Sequence, residues 1–255
     1  MLANYHTHTW RCNHASGTEE QYVQAALQRG LAILGFSDHT PYIFPDGYYS
    51  YFRMKMDQLE GYVSTVLALR EKYESRLRVP LGLEVEFYPD LFDQLMPILK
   101  DQPLDYLILG QHFIGNEVGE HYSGRATGEY SVLRRYCEQT MDAMQQGCFS
   151  YLAHPDLINF TGDHKVYREY MRRLCKEAKN CSIPLELNLH GVLEKRHYPN
   201  RMFWELAAEE GCTVVLGCDA HDPSELSDTS YEKEAMKLVR DLDLELLSIV
   251  PLRSI

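Results

Sequence analysis

His6 and His8 stand one residue apart near the start of the sequence. Alternate residues of an extended segment point to the same side, so the two imidazoles can face one target. Residues of similar chemistry recur along the chain: His14, Asp38 and His39 in GFSDH, Glu84 and Glu86 in GLEVE, and His112 in GQH. They continue with His154 and Asp156 in AHPD, Glu186, Asn188 and His190 in ELNLH, and Asp219 and His221 in CDAH. Imidazoles and carboxylates without thiolates suit a multinuclear centre of divalent ions bound through nitrogen and oxygen. One such histidine alone reads as readily as a hydrogen-bonded structural group, and it is the recurrence that favours ligation. His121, His164 and His197 fall in loops, where a solvated ring is expected. The seven cysteines form no CxxC pair, which points to free, mostly buried thiols in a reducing compartment.

These residues must be positioned by the elements that precede them. Short apolar runs alternate with longer amphipathic stretches, the pattern of repeated βα units. Strands are expected over 2–5, 31–36, 78–85, 104–109, 150–153, 183–189 and 213–217, with an eighth or a closing segment over 244–250. Helices are expected over 19–29, 57–76, 130–146, 165–180, 201–210 and 231–241. Gly30, Gly147 and Gly211 each follow a helical stretch and precede a strand, as helix-terminating glycines do. A parallel sheet with right-handed crossovers follows. In a parallel α/β barrel the polar strand ends would converge on one mouth, where such barrels keep their chemistry. The aromatic stretch 42–52 is long enough to be a lid or wall over a pocket.

The 255 residues suit one large α/β domain spanning 1–255, and 45% of them are hydrophobic. The net charge of −12, from 25 basic and 37 acidic residues, disfavours a nucleic-acid partner held by bulk electrostatics. No apolar run reaches the ~18 residues of a membrane helix, so no membrane partner is expected. The first residues show no secretory pattern, and a cytoplasmic protein is expected.

The stretches YHTHTWRCNH, GFSDH, GLEVEFYPD, LILGQHF, YLAHPDL and LGCDAH, in this order, resemble the polymerase-and-histidinol-phosphatase (PHP) superfamily. The resemblance runs from Tyr5 to His221 and implies a distorted seven-stranded β/α TIM-like barrel carrying up to three metal ions. By that likeness one ion is held by His6, His8, Glu84 and Asp219. A second shares Glu84 and adds His112 and His154, and a third uses His14, His39 and His221. Glu84 is preferred to Glu86 because it directly follows the Gly-Leu of the motif. Zinc, iron and manganese all suit the donors. Within the superfamily, YLAHPDLINF and LELNLHGVLEKRHYPN resemble the stand-alone histidinol-phosphate phosphatases, which implies a basic residue for the phosphate at Arg196 or Lys195. His190 and Cys218 depart from that pattern, where a small hydroxyl-bearing residue is expected at each.

The expected activity is metal-dependent hydrolysis of a phosphate monoester, L-histidinol phosphate, to L-histidinol and phosphate. Asp38 and Asp156 are candidates to protonate the leaving group, and Glu186 to hold the substrate's cationic end. Other PHP-type substrates (a phosphotyrosine, a nucleotide or a small phosphodiester) would use the same centre. An amidohydrolase also begins with a HxH pair, but no lysine at a strand end is placed for a bridging carbamate. A non-catalytic metal-binding regulatory domain is the reading from a different class. Arg196 and the candidate lid favour catalysis over it.

Overall fold

The computed structural model describes residues 1–119 and 121–255. Strands are β1 (Ala3–Asn4), β2 (Ile33–Leu34), β3 (Phe36–His39), β4 (Leu81–Val85), β5 (Tyr106–Leu109), β6 (Phe113–Ile114), β7 (His121–Tyr122), β8 (Phe149–Leu152), β9 (Leu185–Asn188), β10 (Thr213–Gly217) and β11 (Glu245–Leu246). Helices are α1 (Glu19–Arg29), α2 (Leu59–Tyr73), α3 (Pro89–Lys100), α4 (Tyr130–Met144), α5 (His164–Asn180), α6 (Leu189–Leu193), α7 (Arg201–Glu210), α8 (Pro223–Ser227) and α9 (Ser230–Asp241).

Among the described residues, seven strands form one parallel sheet in the order β11-β10-β9-β8-β5-β4-β3. Helices carry the connections, because a parallel neighbour requires a long crossover. β1 pairs with β2 outside this sheet. Beyond β1, Thr7 makes a single parallel bridge with Ala220 just past β10, with His8 N–H donating to Ala220 O at 2.9 Å. Only Gly35 separates β2 from β3, and its N–H donates to Asn4 O at 2.7 Å. The first strand therefore touches both flanks of the sheet, but through a two-residue pair and one bridge rather than a continuous ladder. The result is a mixed α/β fold around a mostly parallel sheet.

Packing follows the apolar pattern. Most buried side chains form one large core, including Phe36, Leu83, Leu107, Phe149, Leu187, Phe203 and Trp204. A second cluster gathers Tyr5, Ile33, Tyr106, Ile108, Tyr151 and Val215, from segments at both flanks and the middle of the sheet. Helix ends are set locally. Thr18 and Gln21 form a capping box at α1, and Gly30 and Gly211 end α1 and α7 at φ of 80° and 65°.

The expected helices are all present with ends shifted by at most a few residues. α3 escaped the periodicity reading because Pro97 interrupts it, although Pro89 at its first turn is a start signal. The antiparallel pair β6–β7 was also not anticipated. No helix among the described residues is long and apolar enough to cross a membrane. All seven cysteines are free.

Candidate metal centre and active site

Parallel strands end on one side, and the predicted histidines and carboxylates collect there. Asn4 braces the first of them: its amide donates to His6 O at 3.0 Å and to Thr7 Oγ1 at 2.8 Å, while its oxygen accepts from Cys218 N–H. The backbone that carries His6 and His8 is thereby tied to the end of β10. His154 and Asp219 each lie two residues past the end of a strand, β8 and β10, with φ of 29° and 50°. Non-glycine residues at such angles carry strain that surrounding contacts must hold, a pattern that clusters at functional sites.

Glu84 is at the centre. Its Oε2 lies 3.0 Å from His39 Nδ1 and 3.5 Å from both His6 Nε2 and His8 Nε2. Its Oε1 lies 2.9 Å from His154 Nε2 and 3.7 Å from His112 Nε2. Asp219 Oδ1 is 3.0 Å from His8 Nε2 and 3.4 Å from His6 Nε2. His14 and His221 face each other, Nε2 to Nε2, at 3.0 Å, and with His39 they form a triad able to hold an ion. The two groups His6–His8–Asp219 and His6–Glu84–His154 have the same capacity. Each of the nine residues expected as ligands belongs to this cluster.

Glycine makes room for the carboxylates. A Cβ on Gly110 would lie 2.0 Å from Glu84 Oε1, and one on Gly217 would lie 1.7 Å from Glu186 Oε1. These two positions, in LILGQHF and LGCDAH, admit side chains that cross the sheet face.

Several buried polar atoms here make no hydrogen bond despite their close neighbours: His6 Nε2, His8 Nε2, His39 Nδ1 and Glu84 Oε2. Such groups are costly unless something pairs them, and all four are competent donors to a cation, so the residues fit divalent ions. The electrostatics agree. Burial opposes ionisation of Glu84, yet the imidazoles of His112, His6 and His39 hold it well below the usual carboxylate range. Asp219 behaves likewise beside His6 and His8. Burial lowers His8, but Asp219 and Asp38 outweigh it and bring the ring to about 9. Burial and the neighbouring His8 push His39 and His221 well below the ordinary imidazole value. In such a cluster a cation supplies the positive charge that protons otherwise bring.

Behind the cluster a further layer orients it. Glu186 Oε1 accepts from His6 Nδ1 at 2.8 Å, and its Oε2 from His154 N–H and Asn188 Nδ2, each at 3.0 Å. Glu86 Oε1 accepts from His112 Nδ1 at 2.8 Å. Asp38 accepts from Thr9 Oγ1 and from His39 N–H at 2.8 Å, and lies 3.4 Å from His8 Nδ1. Partners of this kind set tautomer and ring orientation in metal-binding histidines.

A cavity of about 640 Å³ opens over the cluster. His14, His39, His112, His154, Asp219 and His221 form its floor, and Phe52, Phe113, Tyr122, Tyr198, Leu157 and Arg196 are among its walls. Arg196 Nη2 donates to His190 Nε2 at 3.1 Å, and Nη1 lies 3.5 Å from Tyr198 Oη. The aromatic stretch 42–52 contributes Phe52 to the wall, whereas Tyr42 and Phe44 are buried and Ile43 and Tyr51 are exposed.

Four expected roles meet different surroundings. Asp38 and Asp156 are buried and do not line the cavity. Asp156 Oδ2 instead accepts from Asn200 N–H at 2.5 Å and Trp204 Nε1 at 3.1 Å, and burial pushes its carboxyl up to about 7. Glu186 is buried, and its carboxylate is engaged with His6 Nδ1, His154 N–H and Asn188 Nδ2. Lys195 takes a left-handed turn at φ 51° and is absent from the cavity lining, which leaves Arg196 as the basic residue there. The lining includes His190 of ELNLH and adds Glu194, Asp222 and Glu225, whose loop and short-helix settings gave no periodic signal.

The PHP domain family matches residues 4–190, and the chain belongs to that family. Several relatives carry a more particular name. A probable histidinol-phosphatase of Deinococcus radiodurans is 32% identical, with 94% of each chain covered. The histidinol-phosphatase of Bacillus subtilis is 30% identical over 90% of this chain and 96% of its own. Among solved structures, histidinol phosphate phosphatase from Lactococcus lactis, complexed with zinc, L-histidinol and phosphate, superposes with a TM-score of 0.76. It is 19% identical and the match covers 96% of this chain and 95% of that one.

Proposed function

We propose that this chain is a metal-dependent phosphate-monoester hydrolase that converts L-histidinol phosphate to L-histidinol and inorganic phosphate. The observation that carries this reading is the convergence of seven histidines on Glu84 and Asp219 beneath a cavity with Arg196 on its wall. The relatives named histidinol-phosphatase, similar over nearly their whole length, direct the substrate choice within that chemistry. In this reading His6, His8, Glu84 and Asp219 hold one divalent ion, Glu84, His112 and His154 a second, and His14, His39 and His221 a third. Zinc, manganese and iron are the candidates. Ions bound there supply Lewis acidity and a nucleophilic water at neutral pH.

The protein's own groups do the rest. Arg196 offers its donors to the non-bridging phosphoryl oxygens, and His190 and Tyr198 aim it. Phe52, Phe113 and Tyr122 exclude water from one side of the cavity. Glu194, Asp222 and Glu225 present carboxylates to the cationic end of the substrate, the role expected of Glu186. Residues 1–255 act as one phosphoesterase domain, and the Thr7–Ala220 bridge is the seam at which the sheet turns toward a barrel.

The test is phosphate release from L-histidinol phosphate by zinc- or manganese-loaded protein, with simple phosphate monoesters alongside. A strong preference for histidinol phosphate is expected. Equal weak release from every monoester would remove the substrate assignment, and no release from loaded protein would remove the hydrolase reading.

A further inference from the structure

Arg53 ends the aromatic loop and is only 1% exposed, a rare setting for a guanidinium. Its fork joins three separate segments. Nη1 donates to Thr40 O at 2.5 Å and to Glu86 Oε2 at 3.1 Å, while Nη2 donates to Glu117. The guanidinium carbon also lies 4.5 Å from the ring centre of Phe52. The other oxygen of Glu86 accepts from His112 Nδ1, which leaves His112 Nε2 turned toward Glu84. Phe52 meets His39 edge-on at 5.0 Å and stacks on Phe113 at 5.6 Å.

We infer that Arg53 is a positioning residue for the reaction: through Glu86 it fixes the ring of His112, and by anchoring its own loop it holds Phe52 as the cavity wall over His39 and His112. The inference rests on His112 serving as a metal ligand in the function proposed above. A planar fork is required because one side chain must satisfy Thr40 O, Glu86 and Glu117 in fixed directions, which a lysine ammonium does not reproduce. Glu86 in turn fixes the tautomer of His112, since its carboxylate accepts the Nδ1 proton and leaves Nε2 free to donate its lone pair.

The test measures zinc transfer from loaded protein to a chromogenic chelator, together with kcat and KM for histidinol phosphate. Arg53→Lys and Glu86→Gln are each expected to speed zinc loss about tenfold or more, and to lower kcat more than they raise KM. Their combination is expected to lose zinc no faster than the stronger single variant, because both act on His112 by one route. Additive effects, or wild-type zinc loss in Arg53→Lys, would overturn the inference. Arg53→Met with Glu117→Gln removes the fork without leaving Glu117 unpaired, and wild-type zinc loss in that protein would also overturn it. Should that double variant fail to fold, the Arg53→Lys and Glu86→Gln cycle decides alone. A wild-type protein that takes up no zinc or manganese defeats the function reading itself. A metal-binding wild type with unaffected Arg53 variants defeats only this inference.

Discussion

Glu84 touches five imidazoles, so its charge is the least replaceable feature of the centre. Glu84→Gln keeps the shape and removes the anion. We expect it to lower both metal content and turnover by more than about a hundredfold, measured by elemental analysis and phosphate release. Arg196 has the opposite signature. Arg196→Ala should raise KM about 10- to 100-fold, the loss of a charge-assisted hydrogen bond of about 1.5–3 kcal/mol, while metal content stays at the wild-type level. Lost metal in that variant would mean that Arg196 holds the fold rather than the phosphate. At this scale the sequence was informative where chemistry repeats: HxH, GLE, QH, AHP and CDAH each name a residue of the cluster. It was silent on direction. Asp38, Asp156 and Glu186 share the residue type and strand-end location of the others, yet face backbone amides, an indole or the rear of an imidazole. Which side of a ring a carboxylate meets depends on strands distant in sequence.

The elements explain why those rings and carboxylates fit together. The carboxylates of Glu84 and Glu186 cross the sheet face where the neighbouring strands offer no side chain, at Gly110 and Gly217. Gly110→Ala should therefore displace Glu84, which is hemmed by His39 and His154. Turnover and metal content are expected to collapse, with a stability loss limited to about 1–3 kcal/mol of overpacking. A folded Gly110→Ala protein with full metal content would show that the centre relaxes around the methyl group. Strand and helix identities were legible because apolar period and glycine stops coincide at 19–30 and 201–211. Pro97 concealed α3, and β6–β7 are too short for any period to show. The wall of the cavity comes largely from such irregular segments, which is why Phe52, Tyr198 and Glu225 had to be seen in place.

Across the whole molecule, charge pairs and hydrogen bonds fasten the first helix to the last two. Arg29 of α1 pairs with Glu232 of α9 and donates to Leu226 O at 2.9 Å in α8. Burial alone would raise Glu232, but its hydrogen bonds and the charge of Arg29 hold it below the ordinary carboxylate value. A carboxylate lowered in the folded state stabilises above its unfolded pKa of about 4.3, and that contribution disappears as pH falls through the folded value. Glu232→Gln should thus lower stability at pH 7 by about 1–3 kcal/mol, and the gap to wild type in thermal unfolding should close as pH drops below about 4. A gap that persists at pH 3 would assign the effect to packing. The joining of the flanks has its own reach in time. His6 and His8 are made long before Asp219 and His221, so the chain must be synthesised past His221 before an ion could meet all of the proposed donors. Contacts so distant in sequence form late and slowly. With the ligands proposed above, metal capture would report that the distant ends of the chain have come together, and in refolding experiments zinc uptake is expected to coincide with the slowest phase.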